Sequence, residues 1–322
     1  MRTLAAASVI VGVASSGCVF VDLRSLLSSP GLHEVVIEDH EADAKVALVT
    51  ITGPMDAENP SGFLTQEQSI VASTKEQLEA AAADPDVRAV ILKVSSPGGA
   101  IYPSMAIHRE VLRFKERTKK PVVAYTPDVA ASGGYMVAVA ADEIVSDPAA
   151  ITGSIGVLAI HAELSGLAEW AHVSVETFKT GKRKDVGNPF RKMTDEDRAE
   201  IDRFIQYYFA TFKKIVDEGR ATLDATKVEA LADGGVFHAE EALKNGIVDA
   251  VGDFYDAWER AARRAGSSAG ATNLVAFRQP GKYSGSIYAS SAQPRAPTLS
   301  VDLGALTRPG PRLEFMYLWM GD

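Results

Sequence analysis

The sequence predicts a layered α/β fold, and three observations support this prediction. Short β-type runs alternate with helical patterns between residues 43 and 266. One of those runs, 89–94, is nearly all apolar, which is typical of a strand that helices cover on both faces. A long amphipathic pattern follows Thr194. A chain of 322 residues with 46% hydrophobic and 23% charged residues can bury a large core. Because the chain contains one such α/β unit and no internal repeat, we expect a single domain.

The first half of this domain contains three predicted strands and two predicted helices. The strands are 46–51, 89–94 and 121–125. A helix over 67–83 ends where Asp84-Pro85 follows, since proline cannot continue it. The second helix follows Gly99 and places Ile107, Val111 and Phe114 on one face, which we expect to be buried.

The second half is predicted to contain a strand over 173–178, a polar loop over 181–193 and one long helix. Thr194 is the expected N-cap of that helix, and three acidic residues in its first turn suit the positive end of the helix dipole. Gly219 is the expected terminator. The helix carries an apolar stripe of Ile201, Phe204, Ile205, Tyr208, Phe212 and Ile215.

The N-terminal segment, residues 1–18, has the layout of a membrane-targeting signal. Arg2 precedes an apolar run over 4–13 that is too short to span a bilayer comfortably, and small residues then lead to Cys18. Cys18 is the only cysteine, so it cannot form an internal disulfide, and it is a candidate for lipidation. The alternative is an uncleaved anchor. Both interpretations put the domain outside the cytoplasm, in the cell envelope, joined to the N-terminal segment by a linker over 19–42.

The C-terminal segment, residues 267–322, is predicted to be an extended arm rich in Gly, Ser, Ala and Pro. It closes with a dense apolar and aromatic stretch over 313–320. Such a stretch can pack on its own domain or pair as an edge strand, or it can lie in a substrate groove.

The net charge argues against a nucleic-acid partner, and the spacing of the histidines supports neither a metal site nor a catalytic triad. The net charge is −9 and no basic run extends beyond 182–184, so we expect no nucleic-acid partner. No histidine has a metal or triad spacing, and neither a metal nor an organic cofactor is expected. The six histidines are His33, His40, His108, His161, His172 and His238.

A serine between small residues is the candidate nucleophile. Ser132 precedes Gly133-Gly134 and an apolar helical stretch over 135–141, which places it at a helix N-terminus. The Gly133 amide would then stabilise developing negative charge. The alternative is that Ser132 is only an N-cap. Gly99, in the Ser96-Pro97-Gly98-Gly99 turn, is the candidate second hydrogen-bond donor to this charge. The alternative is that these residues form only a tight turn without a function.

Four motifs in this order carry a resemblance to a known family. They are Ser-Pro-Gly-Gly at 96–99, Ala-Ser-Gly-Gly-Tyr at 131–135, Thr-Gly-Ser-Ile-Gly at 152–156 and Lys-Asp at 184–185. The chain resembles the signal peptide peptidase A family, the short bacterial form of the S49 serine peptidases. The resemblance covers about residues 45–262 and includes the ending over 239–249.

The resemblance implies a ClpP/crotonase-like fold and a role for each motif. Ser132 would be the nucleophile, Lys184 the general base, and Ser154 the hydroxyl that positions the lysine amine. The Gly99 and Gly133 amides would form the oxyanion hole. A lysine base must be neutral although its ordinary pKa is about 10.4, so it needs burial. Lys182 is the second candidate for the base and Lys93 the third. The alternative for Lys184 is a solvated charge in a surface loop.

The function that the resemblance implies is a membrane-tethered serine endopeptidase that degrades remnant signal peptides through an acyl-enzyme. It also implies a homo-oligomer whose active sites are shared between subunits. Three alternatives stay open: a protease of intact membrane or envelope proteins, a non-catalytic envelope lipoprotein, and a crotonase-like acyl-CoA enzyme. The export signal disfavours the last, since acyl-CoA is cytoplasmic.

Overall fold

The protein folds around a mixed sheet of seven strands. The computed structural model describes residues 32–56, 61–62, 65–66, 69–279, 285–288 and 314–320. Neighbouring strands of the sheet are parallel except for the first pair, which is antiparallel. In sheet order the strands are β1 (His33–Glu38), β14 (Asn273–Arg278), β2 (Lys45–Thr52), β5 (Val87–Ser95), β7 (Val122–Thr126), β9 (Glu143–Ser146) and β13 (Ala250–Val251).

Helices cover both faces of this sheet, as the apolar run over 89–94 predicted. On one face the core includes Ile107, Val111 and Phe114, which are all buried as expected. On the other face Trp258 is the largest buried side chain. The described helices are α1 (Ile70–Ala83), α2 (Ile101–Thr118), α3 (Gly133–Ala138), α4 (Ser165–Trp170), α5 (Asp195–Gly219), α6 (Ala225–Leu231), α7 (Ala239–Lys244) and α8 (Phe254–Arg264).

Two small sheets lie beside the large one and carry the residues of interest. In the first, β8 (Val129–Ala131) runs parallel to β10 (Ile151–Gly153), which also pairs with β12 (Val236–His238). In the second, β15 (Glu314–Leu318) lies between β6 (Gly98–Ala100) and β11 (Leu158–Ile160). A short pair, β3 (Ser61–Gly62) with β4 (Thr65–Gln66), completes the described strands.

The prediction of an α/β fold is confirmed, as are the long helix and its cap. Helix α5 begins after Thr194, whose hydroxyl accepts the Asp197 N–H while the Asp197 carboxylate accepts the Thr194 N–H. It ends at Gly219. Of the predicted apolar stripe, Phe212 is fully buried, whereas Ile201 and Ile205 near the beginning of the helix are half-buried.

One predicted element is wrong. Residues 173–178 form no strand, and Val173, Val175 and Phe178 are 55%, 44% and 91% exposed. Their alternating apolar pattern resembles that of a strand, but a strand needs a neighbouring edge to satisfy its backbone groups. These residues pair with no strand in the described part of the chain.

The predicted boundaries of the domain, 43–266, are not those of the sheet. Strand β1 lies in the predicted linker and β14 in the predicted arm, yet they pair with each other, and β14 also pairs with β2. Residues 1–31, including Cys18 and the predicted targeting segment, lie outside the described residues. None of the described helices is both long and apolar enough to cross a bilayer.

Candidate active site

Two parallel strands place Ser132 and Ser154 side by side. Strand β8 ends immediately before Ser132, and its neighbour β10 ends immediately before Ser154. The Ser132 N–H donates to the Gly153 carbonyl at 2.8 Å, and the Ser154 N–H donates to the Gly235 carbonyl at 2.7 Å. Because equivalent ends of parallel strands meet at one edge, two serines far apart in sequence lie next to each other.

The backbone at Ser132 has an unusual conformation. Its φ of 53° and ψ of −116° lie outside the regions that residues other than glycine normally adopt. Such a conformation costs about 1–3 kcal/mol and is found mainly at functional sites. Ser132 directly precedes helix α3, but its hydroxyl makes no capping hydrogen bond. Ser132 thus occupies the N-cap position without using its hydroxyl as a cap.

The glycines of both motifs allow very close backbone contacts. A Cβ atom at Gly98 would lie 2.7 Å from the Gly133 nitrogen, and one at Gly134 would overlap the Ser96 carbonyl oxygen. Gly98 and Gly99 both have positive φ, and the Gly98 N–H donates to the buried Ser96 hydroxyl at 3.1 Å. The Ser-Pro-Gly-Gly turn thus packs against the first turn of α3. The two predicted donors, Gly99 and Gly133, lie on the elements that meet at this contact.

Ser132 and Ser154 line one cavity of about 450 Å³. Ser132 is 1% exposed and Ser154 is 6% exposed. Among the described residues, neither hydroxyl has a hydrogen-bond partner, so both remain available to a ligand in the cavity. Apolar side chains from β11, α5 and the C-terminal segment form much of the remaining wall: Val157, Leu158, Ile205, Phe209, Leu318, Trp319 and Met320.

Lys184, the predicted base, does not join this cavity. It lies in an exposed turn, and its side chain makes no hydrogen bond or ion pair with any residue that the structure describes. A salt-bridge network anchors the turn beside it. Arg191 contacts the carboxylates of Asp185 at 2.9 Å and of Asp197 at 2.5 Å, and it holds the pKa of Asp185 at about 2. Lys184 is therefore next to a fixed residue, but its amine does not reach Ser132 in the same chain.

The alternative bases are no better placed. Lys182 is exposed in the same turn as Lys184. The Lys93 ammonium donates to the Ile287 carbonyl at 2.6 Å, and burial lowers the pKa of Lys93. Lys93 thus has a backbone partner, and it does not line the cavity of Ser132.

Sequence reasoning missed two residues at this site. The Ser96 hydroxyl accepts a hydrogen bond from the Gly98 N–H. The Ser96 carbonyl accepts one at 3.1 Å from the N–H of Ala131, the residue before Ser132. Tyr317 lies against Gly98 and Gly133, because its carbonyl oxygen would overlap a Cβ at Gly98 and would be 3.1 Å from one at Gly133. The Ser-Pro-Gly-Gly motif contained the signal for Ser96. The signal for Tyr317 was the apolar stretch over 313–320. No group of three or more His, Cys, Asp or Glu side chains that could hold a metal ion occurs among the described residues.

The site combines a buried serine with a strained backbone, two glycine-rich segments whose backbones lie close together, and a partly apolar cavity. A nucleophilic serine in an α/β fold requires features of this kind. Comparison with known proteins agrees. The profile of Peptidase family S49 matches residues 114–268.

Two relatives are similar over most of the chain. A Methanocaldococcus jannaschii protein, named as an inferred protease, is 34% identical over 75% of this chain and 78% of its own length. An Enterococcus faecium protein, named as an inferred signal peptide peptidase SppA, is 32% identical over 70% of this chain and 64% of its own length. The chain belongs to peptidase family S49.

Longer relatives are matched over a smaller part of their length. The protein named Protease 4 of Salmonella typhi is 31% identical over 68% of this chain but only 34% of its own length. The chain thus spans less than two thirds of the Enterococcus protein and about a third of Protease 4.

Proposed function

We propose that the chain is a serine endopeptidase in which Ser132 attacks the peptide carbonyl and forms an acyl-enzyme. The observation that carries the proposal is the strained backbone of Ser132. Its buried hydroxyl faces a cavity and makes no hydrogen bond to any residue that the structure describes. The amides of Gly99 and Gly133 receive the oxyanion, since both lie where the two glycine segments meet. The ClpP/crotonase-like layering that the sequence implies belongs to this proposal, as does the positioning role of Ser154.

Lys184 is the proposed general base, supplied by a second copy of the chain. A base must approach the serine hydroxyl within hydrogen-bond distance, and Lys184 of the same chain does not. The segment that carries Lys184 exposes apolar side chains: Leu167 is 59% exposed, Trp170 79% and Phe178 91%. Such a surface favours burial against a partner. Assembly would also remove water from the lysine amine, which favours the neutral form that a base requires.

The proposed substrates are extended apolar peptides, and remnant signal peptides are the class that fits best. The cavity wall is rich in apolar side chains, and a name given to a relative, signal peptide peptidase, points the same way. We further propose that residues 1–18 target the chain to the cell envelope and tether it to the membrane, through lipidated Cys18 or an uncleaved anchor. This last part rests on the sequence alone.

Peptide hydrolysis by single-residue variants tests whether Ser132 and Lys184 act as nucleophile and general base. In the full chain, Ser132→Ala and Lys184→Ala should each lower kcat on a fluorogenic apolar peptide by at least about a thousandfold, because a nucleophile and its base act as a unit. Circular dichroism should be unchanged. Lys182→Ala is the matched control, since it removes the same charge from the same turn. Near-normal turnover of Lys184→Ala would refute the dyad, and inhibition by a chelator would point to a metal enzyme.

Mixing the two inactive variants tests whether the site is shared. If Ser132 and Lys184 come from different copies, a mixture of Ser132→Ala and Lys184→Ala chains should regain activity, since some sites combine an intact serine with an intact lysine. Mass spectrometry of the mixed oligomer shows whether chains have exchanged. Exchange without any recovery would mean that each chain builds its own site.

A further inference from the structure

One carboxylate lies in the wall of the cavity that contains Ser132. Apart from Asp233, the described residues that line this cavity are uncharged. Asp233 is exposed and forms no ion pair with any residue that the structure describes. The adjoining cavity contains Arg198, but it also contains the carboxylates of Glu163 and Asp202. The charge of Asp233 is therefore open to compensation by a ligand.

Backbone contacts position Asp233 relative to Ser154. The Asp233 Oδ1 accepts the Gly235 N–H at 2.8 Å, and the Gly235 carbonyl accepts the Ser154 N–H at 2.7 Å. The loop also packs closely on the Thr-Gly-Ser-Ile-Gly motif, because a Cβ at Gly156 would lie 3.4 Å from the Gly234 Cα. The second carboxylate oxygen of Asp233 has no hydrogen-bond partner in the described part of the chain, so it is available to a ligand.

The cavity combines this carboxylate with apolar side chains. Leu158 of β11 and Ile205 and Phe209 of α5 line the same space. A ligand that complements both features carries a cation close to an apolar stretch. Lysine and arginine suit such a site, since their stems pack on apolar surface while the charged group reaches a polar partner. An acidic side chain would be repelled by Asp233.

We propose that Asp233 determines specificity by binding a lysine or arginine side chain of the peptide, next to an apolar stretch that contacts Leu158, Ile205 and Phe209. This inference rests on the proposed function, because it concerns the same site. A signal peptide has a basic segment directly before its apolar run. Such a peptide is therefore cut close to the junction of the two segments.

Two matched series of fluorogenic peptides test the proposal on the full chain. One apolar sequence carries a lysine at each position in turn, and the second series carries norleucine there, which has a similar stem without the charge. For at least one position, kcat/KM should be about fivefold or more higher for the lysine peptide. This preference should weaken as the salt concentration rises, because salt screens the partly solvated charge pair.

Asp233→Asn removes the charge but keeps an oxygen that can accept the Gly235 N–H. The ratio of the two kcat/KM values should then fall to about one. Asp224→Asn is the matched control and should keep the ratio, since Asp224 also accepts a backbone N–H, that of Lys227 at 2.8 Å, but does not line the cavity. A lysine preference that survives in Asp233→Asn would overturn the proposal, as would the lack of any preference in the unmodified chain.

Binding to the Ser132→Ala chain separates this inference from the proposed function. The probes are fluorescent forms of the best lysine peptide and its norleucine counterpart, followed by anisotropy at low salt. We expect the lysine probe to bind about fivefold more tightly, and the difference to disappear when Asp233→Asn is added. Equal binding of the two probes, or no binding of either, would overturn the proposal. If the difference is present but the chain with Ser132 intact hydrolyses neither series, the inference holds and the proposed function is refuted.

Discussion

The candidate nucleophile Ser132 has a backbone conformation that few residues other than glycine tolerate. The positive φ is maintained by backbone hydrogen bonds on both sides, from Ala131 to the Ser96 carbonyl and from Ser132 to the Gly153 carbonyl. The surrounding structure thereby offsets the strain at a single residue. Ser154 shows the same feature, with φ of 50°, at the end of the neighbouring strand.

The hydroxyl of Ser154 can be separated from its backbone by two substitutions. Ser154→Ala keeps the strain and loses the hydroxyl, whereas Ser154→Gly loses the hydroxyl and relieves the strain. If the hydroxyl positions the lysine amine, both variants should lower kcat by about a hundredfold and leave KM within about twofold. Steady-state kinetics of the two purified variants measure this. Normal kcat in Ser154→Gly would show that only the backbone conformation matters.

The sequence could supply candidate site residues but not their contacts. Ser132, Ser154 and the glycine turn were identified from four motifs, and the structure places the two serines in one cavity. The roles of Gly98 and Ser96 depend on distances across the fold, which no local pattern encodes. The role of Lys184 stays a prediction.

Among the secondary-structure elements, those with a clear periodicity or a cap were predicted well. Helix α5 has both, and Thr194 is its N-cap as expected, within a capping box that the structure adds. The segment 173–178 was wrongly predicted to be a strand. Its residues have high β propensity, but that propensity stabilises a strand only where a neighbouring strand is present, and this segment has none in the described chain. Strand β14 was assigned to the arm because composition alone does not show which strands pair.

The contact between helix α3 and the turn after strand β5 leaves no room for a side chain at Gly134. Gly134→Ala would force a Cβ into the Ser96 carbonyl oxygen, so the chain must shift beside Ser132. We expect a loss of about 1–3 kcal/mol in the free energy of unfolding and a large loss of activity. Gly270→Ala is the matched control, since a Cβ at Gly270 meets open space away from the site. Thermal unfolding and peptide hydrolysis compare the two, and equal behaviour would contradict the packing argument.

At the scale of the whole molecule, only Ser132 of the proposed catalytic pair lines the cavity in the described part of the chain. Ser132 is buried and fixed, whereas Lys184 is exposed beside a salt-bridge network and an apolar surface. Sequence could not predict which chain supplies the lysine, because the spacing of two residues does not determine whether they meet. The C-terminal strand β15 lies between β6 and β11, beside the cavity that Ser132 lines.

Active-site labelling shows whether Ser132 is the nucleophile of a serine peptidase. The assembled full chain is treated with a fluorophosphonate, and the adduct is mapped by mass spectrometry. We expect one major adduct on Ser132, no adduct in Ser132→Ala and much slower labelling in Lys184→Ala. An adduct on another serine, or peptide hydrolysis that persists in the Ser132→Ala chain, would refute Ser132 as the nucleophile.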